Sequence, residues 1–138
     1  MNTFKLRVLA AEKPIYDGEC ISLVITTING QYGIQAMHYN MTAAIIPGML
    51  KLTQPDGKEI VAATSEGLIK VENNSVLVLV DTAERPEEID ENRARRAAEA
   101  AEEAILQKKS IREYDAAQAR MARAISRLRV KQTYSINN

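Results

Sequence analysis

The chain has 138 residues, enough for one ordinary domain or a small domain with an appendage. Eighteen basic and eighteen acidic side chains cancel, which argues against nucleic-acid binding through bulk charge. One cysteine, Cys20, and one histidine, His38, exclude a disulfide framework and any structural zinc site built within the chain, and a reducing compartment fits.

The start, Met1-Asn2-Thr3-Phe4-Lys5, lacks a charged-then-apolar leader pattern, and no apolar run approaches the ~20 residues needed to span a bilayer. Phe4, Leu6 and Val8 alternate with Lys5 and Arg7 and predict a half-buried first strand. Pro14 and Asp17-Gly18 are expected at turns. Cys20, Leu23, Val24, Ile25 and Ile28 read as one longer strand from Glu19 to Ile28, closed by a tight hairpin at Asn29-Gly30. Gln35 to Thr42 is irregular. Its lone His38, beside Tyr39 and two methionines, is read as a packed or surface residue rather than a base or ligand.

Ala43 to Ile46 resumes as strand and stops at Pro47-Gly48. Met49 to Leu52 leads into the turn Gln54-Pro55-Asp56-Gly57, and Ile60 to Thr64 pairs back. Gly67 to Val71, a turn at Asn73-Asn74, and Ser75 to Val80 complete about eight to ten short strands, the pattern of a small antiparallel sandwich or barrel.

The composition then changes. All six glycines lie before residue 68, no glycine or proline follows Pro86, and eleven alanines fall between Ala94 and Ala124. The last third is therefore expected to be helical. Residues 1–84 carry six basic and nine acidic side chains, net −3, and residues 85–138 carry twelve and nine, net +3. The expected architecture is α+β: a β-sandwich domain over 1–84, then an antiparallel two-helix hairpin over 85–138.

Pro86 suits the first turn of the first helix, with Glu87, Glu88, Asp90 and Glu91 at its positive end. Ala94, Ala97, Ala98, Ala101, Ala104 and Ile105 form its expected contact stripe. Lys108-Lys109 suit its C-terminus, and Ser110-Ile111-Arg112-Glu113 reads as a capping box opening the second helix. There Ile111, Tyr114, Met121, Ile125 and Leu128 form the expected apolar face, interrupted by Gln118. Arg120, Arg123, Arg127 and Lys131 form a separate stripe roughly 130° around the helix.

At ~100° per residue Asp90 shares a face with Ala94, Ala97 and Ala101, so a carboxylate is expected inside the alanine stripe, with Arg93 at its edge. Two readings are open: an intrahelical pair of Asp90 with Arg93, or a match to second-helix arginines or a ligand. The stripe of four cations is either a solvated face or one that wants an anionic partner. An alanine seam also buries little, ~0.8 kcal/mol per methyl against ~1.5–3 for a leucine, which suits an arm with two positions. No phosphate-binding glycine loop, metal cluster or nucleophile–base set is present in the sequence, so catalysis by this chain is not expected.

The ordered set Tyr16-x-Gly18-Glu19, Gly30-x-x-Gly33-Ile34, His38, Pro47-Gly48, Gly67-x-x-x-Val71, Val78-Leu79-Val80-Asp81-x-Ala83-Glu84, Ile89-Asp90-x-x-Arg93-Ala94 and Arg127-Leu128-x-Val130 resembles the epsilon subunit of bacterial F-type ATP synthase over nearly the whole chain. That resemblance implies a non-catalytic rotor subunit of the central stalk, coupling proton flow to ATP synthesis. It implies a sandwich held to the gamma subunit and resting on the c-subunit ring, with Gln31 and His38 on the ring-facing loop. The hairpin is implied to fold on the sandwich or extend into the head. Extended, it inhibits ATP hydrolysis, with Arg120, Arg123 and Arg127 facing the catalytic beta and alpha subunits. Folded, it binds ATP through Ile89, Asp90, Arg93 and Ala94, with Arg123 and Arg127 from the second helix.

No cofactor is required, ATP being a regulatory ligand, and the triphosphate supplies the anion the arginine stripe lacks. The isolated chain is expected to be a monomer that binds no nucleic acid, reaching the cytoplasmic face of the plasma membrane only through the complex. The chain departs from the family in three places. Ala36-Met37-His38-Tyr39-Asn40 replaces a Pro-Gly-His-Ala-Pro-like loop, Gln31 stands where an acid is common, and Ala100 stands where some ATP-binding members have a basic residue.

Overall fold

The computed structural model describes residues 2–107 and 111–134. Ten strands come first: β1 Phe4–Ala10, β2 Pro14–Cys20, β3 Ser22–Thr27, β4 Gly30–Ile34, β5 Met41–Ile45, β6 Gly48–Thr53, β7 Glu59–Thr64, β8 Gly67–Glu72, β9 Ser75–Val80 and β10 Ala83–Glu84. They are followed by a single 3-10 turn at Pro86–Glu88 and the helices α1, Glu91–Gln107, and α2, Ile111–Tyr134. The strands hydrogen-bond in the order β10-β7-β6-β3-β5-β8-β9-β1-β2, with β4 on the other edge of β3. Along that edge order β3 changes partner, from β6 at Ser22 to Val24 to β5 at Thr27, so the sheet turns a corner and closes over its own core. Alternating inward residues fill the interior: Phe4, Leu6 and Val8 from β1, Leu23 and Ile25 from β3, Leu50 and Leu52 from β6, Ile69 and Val71 from β8.

The expected sandwich followed by two helices is what forms. Every strand pair is antiparallel except β1 with β9, which run parallel. Those two lie far apart in the strand series, so no hairpin dictates their direction. The Asn73-Asn74 turn has positive φ at both residues, 50° and 60°, the mirror-image turn that matches the twist of β8 and β9. Gly30, at φ 103°, closes the β3–β4 hairpin, and Gly57, at φ 89°, closes β6–β7.

Asp17-Gly18 is not a turn but lies inside β2, with Asp17 opposite Arg7 and Gly18 opposite Leu6. Gly18 leaves room for the Tyr16 ring, whose hydroxyl donates to the Glu19 carbonyl at 2.5 Å. The expected single strand from Glu19 to Ile28 is broken at Ile21. Cys20 is buried, and burial pushes its thiol pKa up.

The helical third starts later than expected. Pro86 opens the separate 3-10 turn, and Ile89 then leaves it in an extended conformation, φ −83° and ψ 124°. This break lets Ile89 turn into the body, where it is buried with Ala63 and Val130. On α1 the buried or half-buried apolar positions are Ala94, Ala98, Ala101, Ala104 and Ile105, while Ala97 is exposed. On α2 the deepest side chains are Ala117 and Ala124, with Met121, Ile125 and Leu128 only half-buried. Small residues let the helices approach closely, so alanines sit deeper than the larger residues expected there. Gln118 is exposed and donates to the Tyr114 hydroxyl at 2.7 Å. Lys108, Lys109 and the capping box begun at Ser110 lie outside the described residues. The second helix rests on β6, β7 and the 3-10 turn.

Candidate functional site

The start of α1, the end of β10 and the middle of α2 enclose a cleft of about 440 Å³, lined by Glu84, Glu88, Asp90, Arg93, Ala94, Ala97 and Arg127. Four of the six residues expected at a nucleotide site therefore meet here: Asp90, Arg93, Ala94 and Arg127. Ile89 lies behind it in the second apolar cluster. Arg123 lies one turn along α2 beside Ser65 and Thr82.

Asp90 is not within the alanine stripe. It precedes α1 as its N-cap: its carboxylate accepts the Arg93 backbone N–H at 3.1 Å, and its carbonyl accepts that of Ala94 at 2.9 Å. The residue is exposed, because the break at Ile89 moves the helix start past it. Of the two readings open for Asp90, the side-chain pair with Arg93 is replaced by this backbone cap. Local structure thus accounts for three of the four motif residues: Ile89 plugs the body, Asp90 caps the helix, and Ala94 is buried at its first turn. The exposed Arg93 side chain has no ion-pair or hydrogen-bond partner among the described residues.

The arginine stripe does not lack an anion. Arg123 donates to Glu66 at 2.8 Å and Arg127 Nε to Glu84 at 2.5 Å, both carboxylates coming from the body. Lys131 donates to the Pro86 carbonyl at 3.2 Å. Arg120 is exposed, with no ion pair among the described residues. The missed partners, Glu66 and Glu84, had a signal in the sequence: the body's net −3 faces the tail's net +3. A second tie had none. Lys13 donates to Glu88 at 2.6 Å and, with the Arg85 backbone N–H, holds the Glu88 carboxyl below its ordinary pKa against a smaller opposing effect of burial.

Gln31 is exposed on β4 opposite Thr26. His38 is half-buried: its ring meets Tyr32 edge-on at 5.6 Å and stacks on Tyr39 at 4.3 Å. The Tyr32 and Tyr39 hydroxyls are 2.6 Å apart. The segment replacing the proline-rich loop is thus ordered by aromatic contacts, with Met37 at φ 63° and its N–H donated to Asn74 Oδ1 at 2.7 Å.

Residues 3–86 match the family model for the ATP synthase Delta/Epsilon chain beta-sandwich domain, and residues 87–132 match the model for its long alpha-helix domain. The ATP synthase epsilon chain of Caldanaerobacter subterraneus subsp. tengcongensis is 39% identical over 132 residues, 96% of this chain and 96% of that one. That of Neisseria meningitidis serogroup C is 36% identical, covering 94% and 93%. In the cryo-EM structure of the Euglena gracilis mitochondrial ATP synthase, with its OSCP, F1 and c-ring, one chain superposes with a TM-score of 0.80 at 20% identity, covering 91% of this chain and 79% of that one. A chain in the central stalk and c-ring of the Tetrahymena thermophila mitochondrial enzyme gives 0.62 at 14% identity, covering 92% and 95%. At those identities the likeness speaks for the fold alone. Two consecutive family domains spanning residues 3–132, with relatives aligned end to end, place this chain in the delta/epsilon chain family of ATP synthase, as an epsilon chain and a non-catalytic subunit of that enzyme.

Proposed function

We propose that the chain is a rotor subunit of the central stalk whose hairpin, residues 85–138, docks releasably on the body, residues 1–84, and brakes ATP hydrolysis when released. The observation that carries this reading is how the hairpin is held. Its seam with the body combines three charge pairs, Lys13 with Glu88, Arg123 with Glu66 and Arg127 with Glu84, with a small apolar cluster of Ala63, Ile89 and Val130. A contact of that kind can open without unfolding the sheet.

In this reading the body contacts the gamma subunit and the c-subunit ring, with Gln31 and His38 on the ring-facing side. The chain reaches the cytoplasmic face of the membrane through the complex alone. No described helix is long and apolar enough to cross a membrane. Released, the hairpin turns Arg120, Arg123 and Arg127 toward the catalytic beta and alpha subunits and inhibits ATP hydrolysis. The body's carboxylates and the head then compete for the same arginines. That competition also weighs against nucleic acid as a partner, since two of the stripe's cations are already engaged.

ATP acts as the regulatory ligand of the docked form. Its phosphates engage the unpaired Arg93 and take Arg127 from Glu84, replacing one carboxylate contact by bidentate phosphate contacts. Ligand bound only to the docked form stabilises it in proportion to concentration over Kd.

Truncation after Glu84 tests the brake. ATP hydrolysis by the reconstituted head rises when the hairpin is absent, and an unchanged rate removes this function. Calorimetry of the isolated chain tests the ligand, and no heat at millimolar ATP removes the sensing role without touching the brake.

A further inference from the structure

A cavity larger than the cleft above is also present. It lies along a different face of α2, between that helix and the body, has a volume of about 600 Å³, and is of the size that takes a small organic ligand. Its α2 wall follows three- and four-residue steps through Ala122, Ser126, Arg129 and Thr133, and its body wall includes Thr26 and Met49. Ile125 and Val130 complete an apolar floor.

Two features of this wall point to a polar-headed occupant. Ser126 is 7% exposed, and its Oγ has no hydrogen-bond partner among the described residues. A helical serine commonly donates back to the carbonyl four residues earlier, and a buried hydroxyl without a partner is costly. Arg129 is the one charged residue in the lining, is exposed, and has no ion pair among the described residues. It is thus set apart from Arg123 and Arg127, which the body's carboxylates already hold.

We propose that this cavity binds a small anionic amphiphile of the fatty-acid class, its carboxylate on Arg129 and the Ser126 hydroxyl and its aliphatic body against Met49, Ile125 and Val130. Because the walls belong to both the body and α2, an occupant adds contacts that exist only when the hairpin is docked. It therefore favours docking from the flank opposite the nucleotide cleft. The site does not depend on the nucleotide reading, since the two cavities share no residue.

The test uses the full chain and dodecanoate below its micellar concentration, followed by calorimetry and backbone amide shifts. Dodecanoate binds saturably at one site, with shifts centred on Thr26, Met49 and residues 122–133. Dodecanol, without the charge, binds about tenfold more weakly, and acetate, without the chain, does not bind. Arg129→Gln weakens dodecanoate about tenfold and Ser126→Ala about threefold, while Arg95→Gln on α1 changes nothing. Saturating ATP leaves dodecanoate affinity unchanged or raises it. The proposal is overturned if dodecanoate and dodecanol bind alike, if Arg129→Gln and Ser126→Ala both bind as tightly as the parent, or if binding appears only with micelles.

Discussion

Arg123 on α2 donates to Glu66, 57 residues away, across 2.8 Å at the junction of helix and sheet. One helical turn further, Arg127 makes the same kind of contact with Glu84. These pairs differ in solvent access: the side chains are 28% and 43% accessible in the first, 28% and 30% in the second. Both are therefore partly screened, and the second should be the stronger.

Glu84→Gln should loosen the hairpin more than Glu66→Gln, with each loss on the order of 1 kcal/mol once screening is allowed for. Hydrogen exchange reads this directly. Amides around Ala124 exchange several-fold faster in either variant, while those of Ile69 and Val71 in the sheet hold their rates. Half-molar salt narrows the gap between parent and variants. If helix and sheet amides accelerate together, the hairpin is not a separately opening unit.

The tie between Lys13 and Glu88 makes docking depend on pH. The folded Glu88 carboxyl titrates below its ordinary value of 4.5, chiefly because Lys13 donates to it. A depressed carboxylate pKa contributes stability that is fully present above the unfolded value and lost as pH falls through the folded one. Lys13→Met should therefore be less stable than the parent at pH 7, and the difference should fade in acid, as pH falls below the ordinary glutamate range and through the lower folded value. Paired urea titrations at the two pH values measure it. An equal difference at both would show that Lys13 acts through packing alone.

The sheet was legible because alternation and turn chemistry are local. Phe4, Leu6 and Val8 alternate, and Asn73-Asn74 can turn back only through positive φ. The parallel register of β1 with β9 was not legible, because their starts, Phe4 and Ser75, are 71 positions apart and nothing local records a pairing at that range. Asp90 was misplaced for a related reason. Helical periodicity counts from a start that the burial of Ile89, a tertiary effect, moves forward. Of the candidate site, Asp90, Arg93 and Ala94 of the motif do line one cleft with Arg127, but the carboxylates that hold Arg123 and Arg127 lie in distant segments. Only the opposed net charges of body and tail hinted at them.

Met37 carries a left-handed backbone, φ 63°, at the position where the resembled family has glycine. A side chain there costs about 1 kcal/mol relative to glycine, offset here by the 2.7 Å hydrogen bond its N–H makes with Asn74. Met37 is 77% exposed, so replacing it removes no core contact. Met37→Gly should raise stability by about 0.5–1 kcal/mol, less the extra entropy glycine adds to the unfolded chain. Asn74→Ala should destabilise the same segment. Thermal melts of the two variants separate these effects, and a less stable Met37→Gly would show that the methionine side chain itself holds the loop.

Gly67 and Gly33 make a matched pair for the close approach of strands. A Cβ at Gly67 would sit 2.0 Å from the Leu79 carbonyl oxygen and 2.8 Å from the Val80 Cα, both backbone atoms that cannot swing away. At Gly33 it would meet nothing within 4 Å. Gly67 also sits at a junction of the sheet, paired with Val80 on one side and Ile45 on the other. Gly67→Ala must therefore push β8 away from β9 or lose the pairing, at a cost of about 3 kcal/mol or more. Gly33→Ala should be neutral or stabilise by up to ~1 kcal/mol, because it only restricts the unfolded chain. Urea unfolding of the two variants followed by far-ultraviolet circular dichroism decides the matter. Equal effects at the two sites would mean that β8 and β9 have slack that their geometry does not show.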